Sequence, residues 1–253
     1  MSVLNLDQTP RKKISLGSIE NCPRHGDYEP EIAGKGKFQI KRGCPKCIEE
    51  AARTAEDSER YERVEKLKRE CCIPKRFLDS SFESYRLDTD TKAQALALKI
   101  CKAYAARFDD RLKAGGGLVL CGTPGTGKTH LACAIANAVM SKGLSVVYTT
   151  AFRMMDEIKG GFNAPRGGPD PKQKFESPRL LILDEIGVQF GTDAEKILAY
   201  QVINTRYENV LPTIAISNKS EKELSSYIDE RTIDRLREGG GAVINFTWAS
   251  NRK

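Results

Sequence analysis

The stretch that most constrains this chain is LVLCGTPGTGKTHLACAIANAVM, residues 118–140. Leu118 to Leu120 form a short apolar run suited to a buried parallel strand, and Leu131, Ile135 and Val139 then repeat at helical spacing. Between them, Gly122 to Thr129 match the pattern G-x-x-x-x-G-K-[ST]. The chemistry asks for this order. Gly122, Gly125 and Gly127 let the backbone wrap phosphate oxygens with its N–H groups, Lys128 reaches the β- and γ-phosphates, and Thr129 offers a hydroxyl to Mg²⁺ at the positive end of the helix. The expected nucleotide-binding set is Gly122, Thr123, Pro124, Gly125, Thr126, Gly127, Lys128, Thr129 and His130.

A second apolar run, RLLILDEIG, reads as a buried strand ending at Asp184, which is placed to hold the Mg²⁺ shell together with Thr129. Glu185 adds a carboxylate able to polarise water for attack on a γ-phosphate, which favours ATP hydrolysis over phosphoryl transfer to a metabolite. After the amphipathic DAEKILAYQVINTRYEN comes PTIAISNKS, whose strand ends at Ser217 and Asn218. Asn218 either bonds the attacking water or a γ-phosphate oxygen, or forms an ordinary Asx turn.

Eight cysteines are present, and their spacing is informative. Cys22 and His25 stand in CPRHG, and Cys44 and Cys47 in CPKC. Each pair spans a tight turn that points two side chains at one spot, and together they supply three thiolates and one imidazole for a tetrahedral Zn²⁺. A redox CxxC or accidental spacing is the competing reading, and against the redox role no thioredoxin-like strand precedes Cys44. Four protein ligands leave no open position, so the zinc is expected to be structural. The intervening GDYEPEIAGKGKFQIKRG looks like a short hairpin with a glycine-rich tip. Cys71, Cys72, Cys101, Cys121 and Cys133 fall on helical or strand patterns, where cysteine acts as a small apolar residue.

IEEAARTAEDSERYERVEKLKRE follows, a charged helix with a thin stripe of Tyr61, Val64, Leu67 and Cys71, ended near Pro74. A further helix is expected across TKAQALALKICKAYAARFDDRLKA, with Ala97, Cys101, Tyr104, Phe108 and Leu112 on one side and Gly115 to Gly117 as its stop. We therefore expect a zinc module plus connecting helix over residues 1–72 and an ATPase domain over 73–253. Net charge is +7, with +3 in the first 75 residues and +4 in the remainder, so charge alone marks no nucleic-acid partner. No apolar run approaches a membrane span and the start MSVLNLDQTPRKK lacks a secretory core, which points to a cytoplasmic protein with no membrane partner.

The order of strand, phosphate loop, helix, Asp-Glu strand, helix, polar-ended strand and Arg-rich helix resembles the AAA+ ATPases. SSFESYRLDTD, GTPGTGKTHLACAIANAVMSKGLSVVYTTAFRMMDEIK, LLILDEIGVQ, ERTIDRLREGG and VINFTWAS resemble the bacterial DnaC-type replicative helicase loaders in particular, from about residue 73 onward. The resemblance implies an α/β fold: a parallel five-stranded sheet between helices, with the Arg-rich helix leading directly to the last strand and no C-terminal lid. It also implies self-association into a spiral with each ATP at a subunit boundary, and a DnaB-type hexameric helicase and single-stranded DNA as partners.

Arg235 matches the family's trans-acting arginine finger and Arg231 its other motif arginine. The alternative is that Arg231, Arg235 and Arg237 merely pair with Asp229, Glu230, Asp234 and Glu238 at helical spacing, and for Arg237 the two readings stand level. A helical insertion after the second strand touches DNA in the family. The matching stretch here carries Lys159, Phe162 and Arg166, as DNA contacts or as parts of a plain loop. The cysteine pairs depart from the best-known members, whose amino-terminal domain is helical. Residues 1–70 are inferred to grip the helicase, with DNA binding as the competing role. Two alternatives are an IstB-type transposition ATPase acting with a transposase, and an ATP-binding adaptor that does not hydrolyse its nucleotide.

Overall fold

The structure, a computed structural model, describes residues 19–33, 40–87, 92–162, 168, 170–187 and 193–250, with the side chains of 162 and 193–195 excepted. It divides into two compact units, Met1–Glu62 and Arg63–Lys253.

In the first unit, β1 (Glu20–Cys22) and β2 (Gly26–Tyr28) form an antiparallel hairpin around the CPRH turn, and β3 (Ile32–Ala33) pairs antiparallel with β4 (Ile40–Lys41). The expected hairpin thus has its two strands, while its glycine-rich tip lies outside the described residues. Helix α1 (Pro45–Glu70) opens inside the CPKC pair, so Cys47 sits in a first helical turn and not across a tight turn. Proline explains the difference: at the first helical position its fixed φ suits the helix and its missing N–H leaves no bond unmade. No residue of α1 is buried, and Tyr61 of the expected stripe is 68% exposed.

The division between the units falls within α1, before the 72/73 boundary read from the sequence. The end of the helix packs with the second unit: Leu67 lies against its core, Cys71 is fully buried, and the Tyr148 amide donates to the Cys71 carbonyl at 2.8 Å.

The second unit is a five-stranded parallel sheet in the order β6-β7-β8-β5-β9, with β5 (Leu118–Gly122), β6 (Val146–Thr150), β7 (Leu180–Asp184), β8 (Thr213–Ile216) and β9 (Ala242–Phe246). Alternation along each strand feeds two cores. Leu118, Leu120, Ile182, Ile214 and Ile216 pack against α2 (Lys92–Ala106) and α4 (Lys128–Met140) on one face. Val119, Leu181, Leu183 and Ala215 pack on the other face against α5 (Ala151–Phe162), α7 (Asp193–Glu208), α8 (Glu221–Ile228) and α9 (Glu230–Arg237). The short α6 (Gln173–Glu176) buries Phe175 into that second core.

The helix expected across residues 91–114 is two, α2 and α3 (Phe108–Ala114), parted at Arg107 (φ −101°, ψ 28°). Tyr104 and Phe108 keep their four-residue spacing through the break, so periodicity does not register it. Two triglycine runs close the far end of the sheet. Gly117 N–H donates to the Leu236 carbonyl at the end of α9, Ala242 N–H donates to the Gly117 carbonyl, and any Cβ on Gly116, Gly239 or Gly241 would collide with backbone of the facing run. Arg206, in the last turn of α7, is fully buried, donating to the carbonyls of Phe175 (3.0 Å), Glu176 (3.2 Å), Pro178 (2.9 Å) and Pro212 (2.6 Å) and to the Thr213 hydroxyl (2.9 Å). Burial lowers its pKa to about 9, and those five acceptors oppose that desolvation.

Candidate functional site

The carboxyl ends of β5, β7 and β8 converge on a cleft of about 500 Å³, the position where open parallel sheets bind ligands. Pro124, Gly125, Gly127, Lys128, Thr129 and His130 line one side, and Asp184, Glu185 and Asn218 another. Gly125 and Gly127 have φ of 79° and 92°, a left-handed backbone that glycine adopts without a Cβ penalty. Gly127 also faces the ring of Tyr85, which a Cβ would meet at 2.5 Å.

Lys128 is buried, its ammonium donating to the Gly122 and Thr123 carbonyls at 2.8 and 2.7 Å. These bonds hold the cation across the mouth of its own loop, where phosphate oxygens would compete for it. Thr129 donates its hydroxyl to Asp184 Oδ2 at 2.9 Å. The Thr129 oxygen keeps lone pairs for a hard cation while its hydrogen anchors the buried carboxylate, a donor set that suits Mg²⁺. Glu185 has φ of 59°, and its N–H bonds Asp184 Oδ1 at 2.7 Å while Ile186 N–H bonds the Ile216 carbonyl at 3.0 Å. A non-glycine residue in the left-handed region stores strain, and here that turn leaves the Glu185 side chain exposed at the cleft.

Asn218 makes no side-chain hydrogen bond among the described residues, and the local turn is closed by Ser217 Oγ accepting from Lys219 N–H at 3.1 Å. Asn218 is therefore exposed at the cleft and forms no Asx turn.

Three contributors went unread in the sequence. Arg76, Phe77, Ser84, Tyr85 and Arg86, from the irregular segment before α2, line the cleft opposite the loop. Tyr85 OH donates to the Thr126 carbonyl at 3.1 Å, and His130 Nε2 is paired with the Ser81 carbonyl at 2.9 Å and Ser84 Oγ at 3.3 Å. From β9 onward, Phe246 and Trp248 carbonyls accept from Thr123 Oγ1 at 3.0 and 3.2 Å. Tyr148 of β6 donates to Asp184. The only sequence sign of Ser84, Tyr85 and Arg86 was their place inside SSFESYRLDTD, and of Phe246 and Trp248 their place inside VINFTWAS; Arg76 and Phe77 had none.

In α9, Arg235 donates to Tyr200 OH at 2.9 Å and to Asn204 Oδ1, and lies over the rings of Tyr200 and Tyr207 at 5.5 and 5.3 Å. None of its partners among the described residues is a carboxylate. Arg231 is exposed without a hydrogen bond or ion pair among them. Arg237 pairs with Glu221 of α8 at 3.6 Å, so it has a partner outside the acids adjacent in sequence. Asp229 instead caps α9 through Thr232 N–H, and Glu238 accepts from Tyr207 OH at 2.6 Å. Lys159 is exposed on α5, while Arg166 and the side chain of Phe162 lie outside the described residues.

In the first unit, one ligand atom each from Cys22, His25, Cys44 and Cys47 gathers within 4.8 Å of the others. His25 Nδ1 is 3.7 Å from the Cys22 and Cys44 sulfurs and 3.3 Å from that of Cys47, with the Cys22 and Cys47 sulfurs 3.6 Å apart. Around a tetrahedral zinc with ordinary bond lengths, such separations are about 3.6 to 3.8 Å. Backbone N–H bonds from Arg24, with a smaller share from His25, bring the Cys22 thiol down to about 6, the thiolate form a metal requires. His25 Nε2 meets Glu50 at 3.0 Å, which orients the ring with Nδ1 toward the sulfurs.

The parallel order of the sheet, the phosphate loop after β5 and the acidic end of β7 define an AAA+ P-loop ATP-binding fold. The family model described as IstB-like ATP binding protein matches residues 48–236, and the chain belongs to this IstB/DnaC family. The protein named replicative helicase loader DnaC in Buchnera aphidicola subsp. Acyrthosiphon pisum (strain APS) is 32% identical over 179 residues, 70% of this chain and 71% of that one. Its namesake in Escherichia coli (strain K12) is 33% identical over 173 residues, 68% and 69% of the two chains. A crystal structure of the DnaC helicase loader shares the fold with a TM-score of 0.60 at 22% identity, covering 68% of this chain and 99% of that one.

Proposed function

We propose that this protein is an ATP-hydrolysing loader that places a hexameric replicative helicase of the DnaB type on single-stranded DNA. The observation that carries the reading is the identity of about a third to proteins named replicative helicase loader, over a stretch that includes every residue of the cleft's phosphate loop. Gly122 to Thr129 bind the triphosphate, Thr129 and Asp184 hold Mg²⁺, and Glu185, with Asn218, orients the attacking water. Mg²⁺ supplies charge neutralisation at the phosphates when bound. Exposed Glu185 favours hydrolysis over a non-hydrolysing adaptor, and phosphate release that survives in Glu185→Gln would overturn its assignment.

Subunits associate in a spiral, and Arg235, with Arg231 beside it, reaches the γ-phosphate of a neighbour. Support comes from the neutral cradle of Arg235, which leaves its charge available to an incoming anion. Residues 1–72 form a zinc-bound unit with its connecting helix and engage the helicase, while residues 73–253 hydrolyse ATP. Lys159, Phe162 and Arg166 contact DNA. The protein works in the cytoplasm. A transposition role is disfavoured by the Cys/His unit.

Co-purification with a hexameric helicase in ATP and in ADP, followed by native mass measurement, tests the reading. A complex of helicase plus several loader copies in ATP is expected; no complex in either nucleotide overturns it.

A further inference from the structure

Asp184 is 6% exposed, and every donor that holds its carboxylate is named by geometry. Oδ1 accepts from Glu185 N–H at 2.7 Å. Oδ2 accepts two hydroxyls, Thr129 from α4 at 2.9 Å and Tyr148 from β6 at 2.7 Å. The first two donors belong to the phosphate-loop helix and to the turn after the acidic strand. Tyr148 belongs to neither: it rises from the edge strand of the sheet, its own N–H fixed by the Cys71 carbonyl and its side chain 6% exposed. An inward strand position beside α4 asks only for an apolar side chain, and Tyr148 lies in that apolar cluster. A hydroxyl there adds a polar atom that must find a partner, and the partner it has is Asp184.

We propose that Tyr148 is a positioning residue for the magnesium site, holding the Asp184 carboxylate in the plane in which it faces Thr129. The inference rests on the reading of the cleft as a Mg²⁺-ATP site. Without Tyr148, Glu185 N–H still holds Oδ1, but Oδ2 is left with Thr129 alone, the hydroxyl that would also face the cation; with Tyr148, Oδ2 has a second grip from an element outside the metal's own ligands. Removing the phenol hydroxyl therefore loosens the cation's support and leaves the phosphate loop untouched. Outer partners of this kind change metal affinity by roughly 10- to 100-fold when deleted.

The experiment titrates MgCl₂ into full-length protein with a fluorescent ATP analogue and repeats the nucleotide titration in EDTA. For Tyr148→Phe, the half-saturating Mg²⁺ concentration is expected to rise about tenfold, while affinity in EDTA stays within about twofold. In an Asp184→Asn background, Tyr148→Phe should change nothing further. An unchanged Mg²⁺ requirement overturns the proposal, and so does an equal loss with Mg²⁺ and with EDTA, which marks a purely structural role. Wild-type protein that binds no analogue at any Mg²⁺ concentration overturns the ATP-site reading itself, a different outcome from wild-type binding with an indifferent Tyr148→Phe.

Discussion

The indole N–H of Trp248 donates to the Thr126 carbonyl at 3.1 Å, so the last strand's extension braces the phosphate loop from behind. Trp248 is the single tryptophan of the chain and is buried. Its emission should therefore change on addition of ATP and Mg²⁺, and remain flat in Lys128→Ala. Trp248→Phe removes one bond worth about 0.5 to 1.5 kcal/mol, so nucleotide affinity should fall by roughly two- to tenfold. Fluorescence and calorimetric titration check both.

Arg235 and Lys128 are expected to serve different active sites. Arg235→Ala and Lys128→Ala should each lose hydrolysis alone, and an equal mixture should regain part of it, because each subunit supplies what the other lacks. Arg237→Ala should leave the rate within about twofold, since its exposed pair with Glu221 is worth little. Phosphate release on the mixtures is the measurement; no rescue would return Arg235 to its tyrosine cradle as a purely local contact.

Metal content should be one zinc per chain, lost in Cys22→Ser, as read by emission spectroscopy. Among its described residues the first unit has four strands of two or three residues and little core, so its folding should depend on the metal. A chelator should abolish its ordered signals while the melting of the ATPase unit persists. Glu50→Ala should weaken zinc binding by about tenfold, through the His25 ring that Glu50 orients.

Arg206→Ala should destabilise the second unit by roughly 3 to 5 kcal/mol, because four carbonyls and a hydroxyl lose a buried donor and a void remains. Thermal unfolding followed by circular dichroism reads the shift. A loss under 1 kcal/mol would mean that water replaces the guanidinium.

The phosphate loop and Asp184 were legible because their chemistry demands fixed residue types at fixed spacing. Apolar runs marked the strands at Leu118, Leu180 and Thr213, while the full parallel sheet of five was expected only through the family resemblance. Tyr148 was not legible: an aromatic residue inside SVVYTT reads as core, and only the neighbouring strand reveals that its hydroxyl lands on Asp184. Arg206 sits in an amphipathic helix where an arginine predicts solvent, and its five acceptors come from segments that periodicity does not place together. Tyr85 and Trp248 lie outside the regular elements, in stretches with no repeat to read, yet both close on one carbonyl of the loop.

The interlocked glycines at 115–117 and 239–241 have a mechanical consequence. Gly117 ties the end of the arginine helix to one end of β5, and Gly122 begins the phosphate loop at the other. Five residue steps along the strand separate them, about 17 Å. The glycine backbones meet directly, and Tyr104 OH on the Gly116 carbonyl (2.8 Å) and Arg111 on the Gly239 carbonyl (3.4 Å) pin the joint, so it resists sliding or repacking by degrees. A change felt at the loop must then reach the arginines as a tilt of one stiff beam, so the reach of α9 toward any neighbour is set by how the whole sheet is aimed.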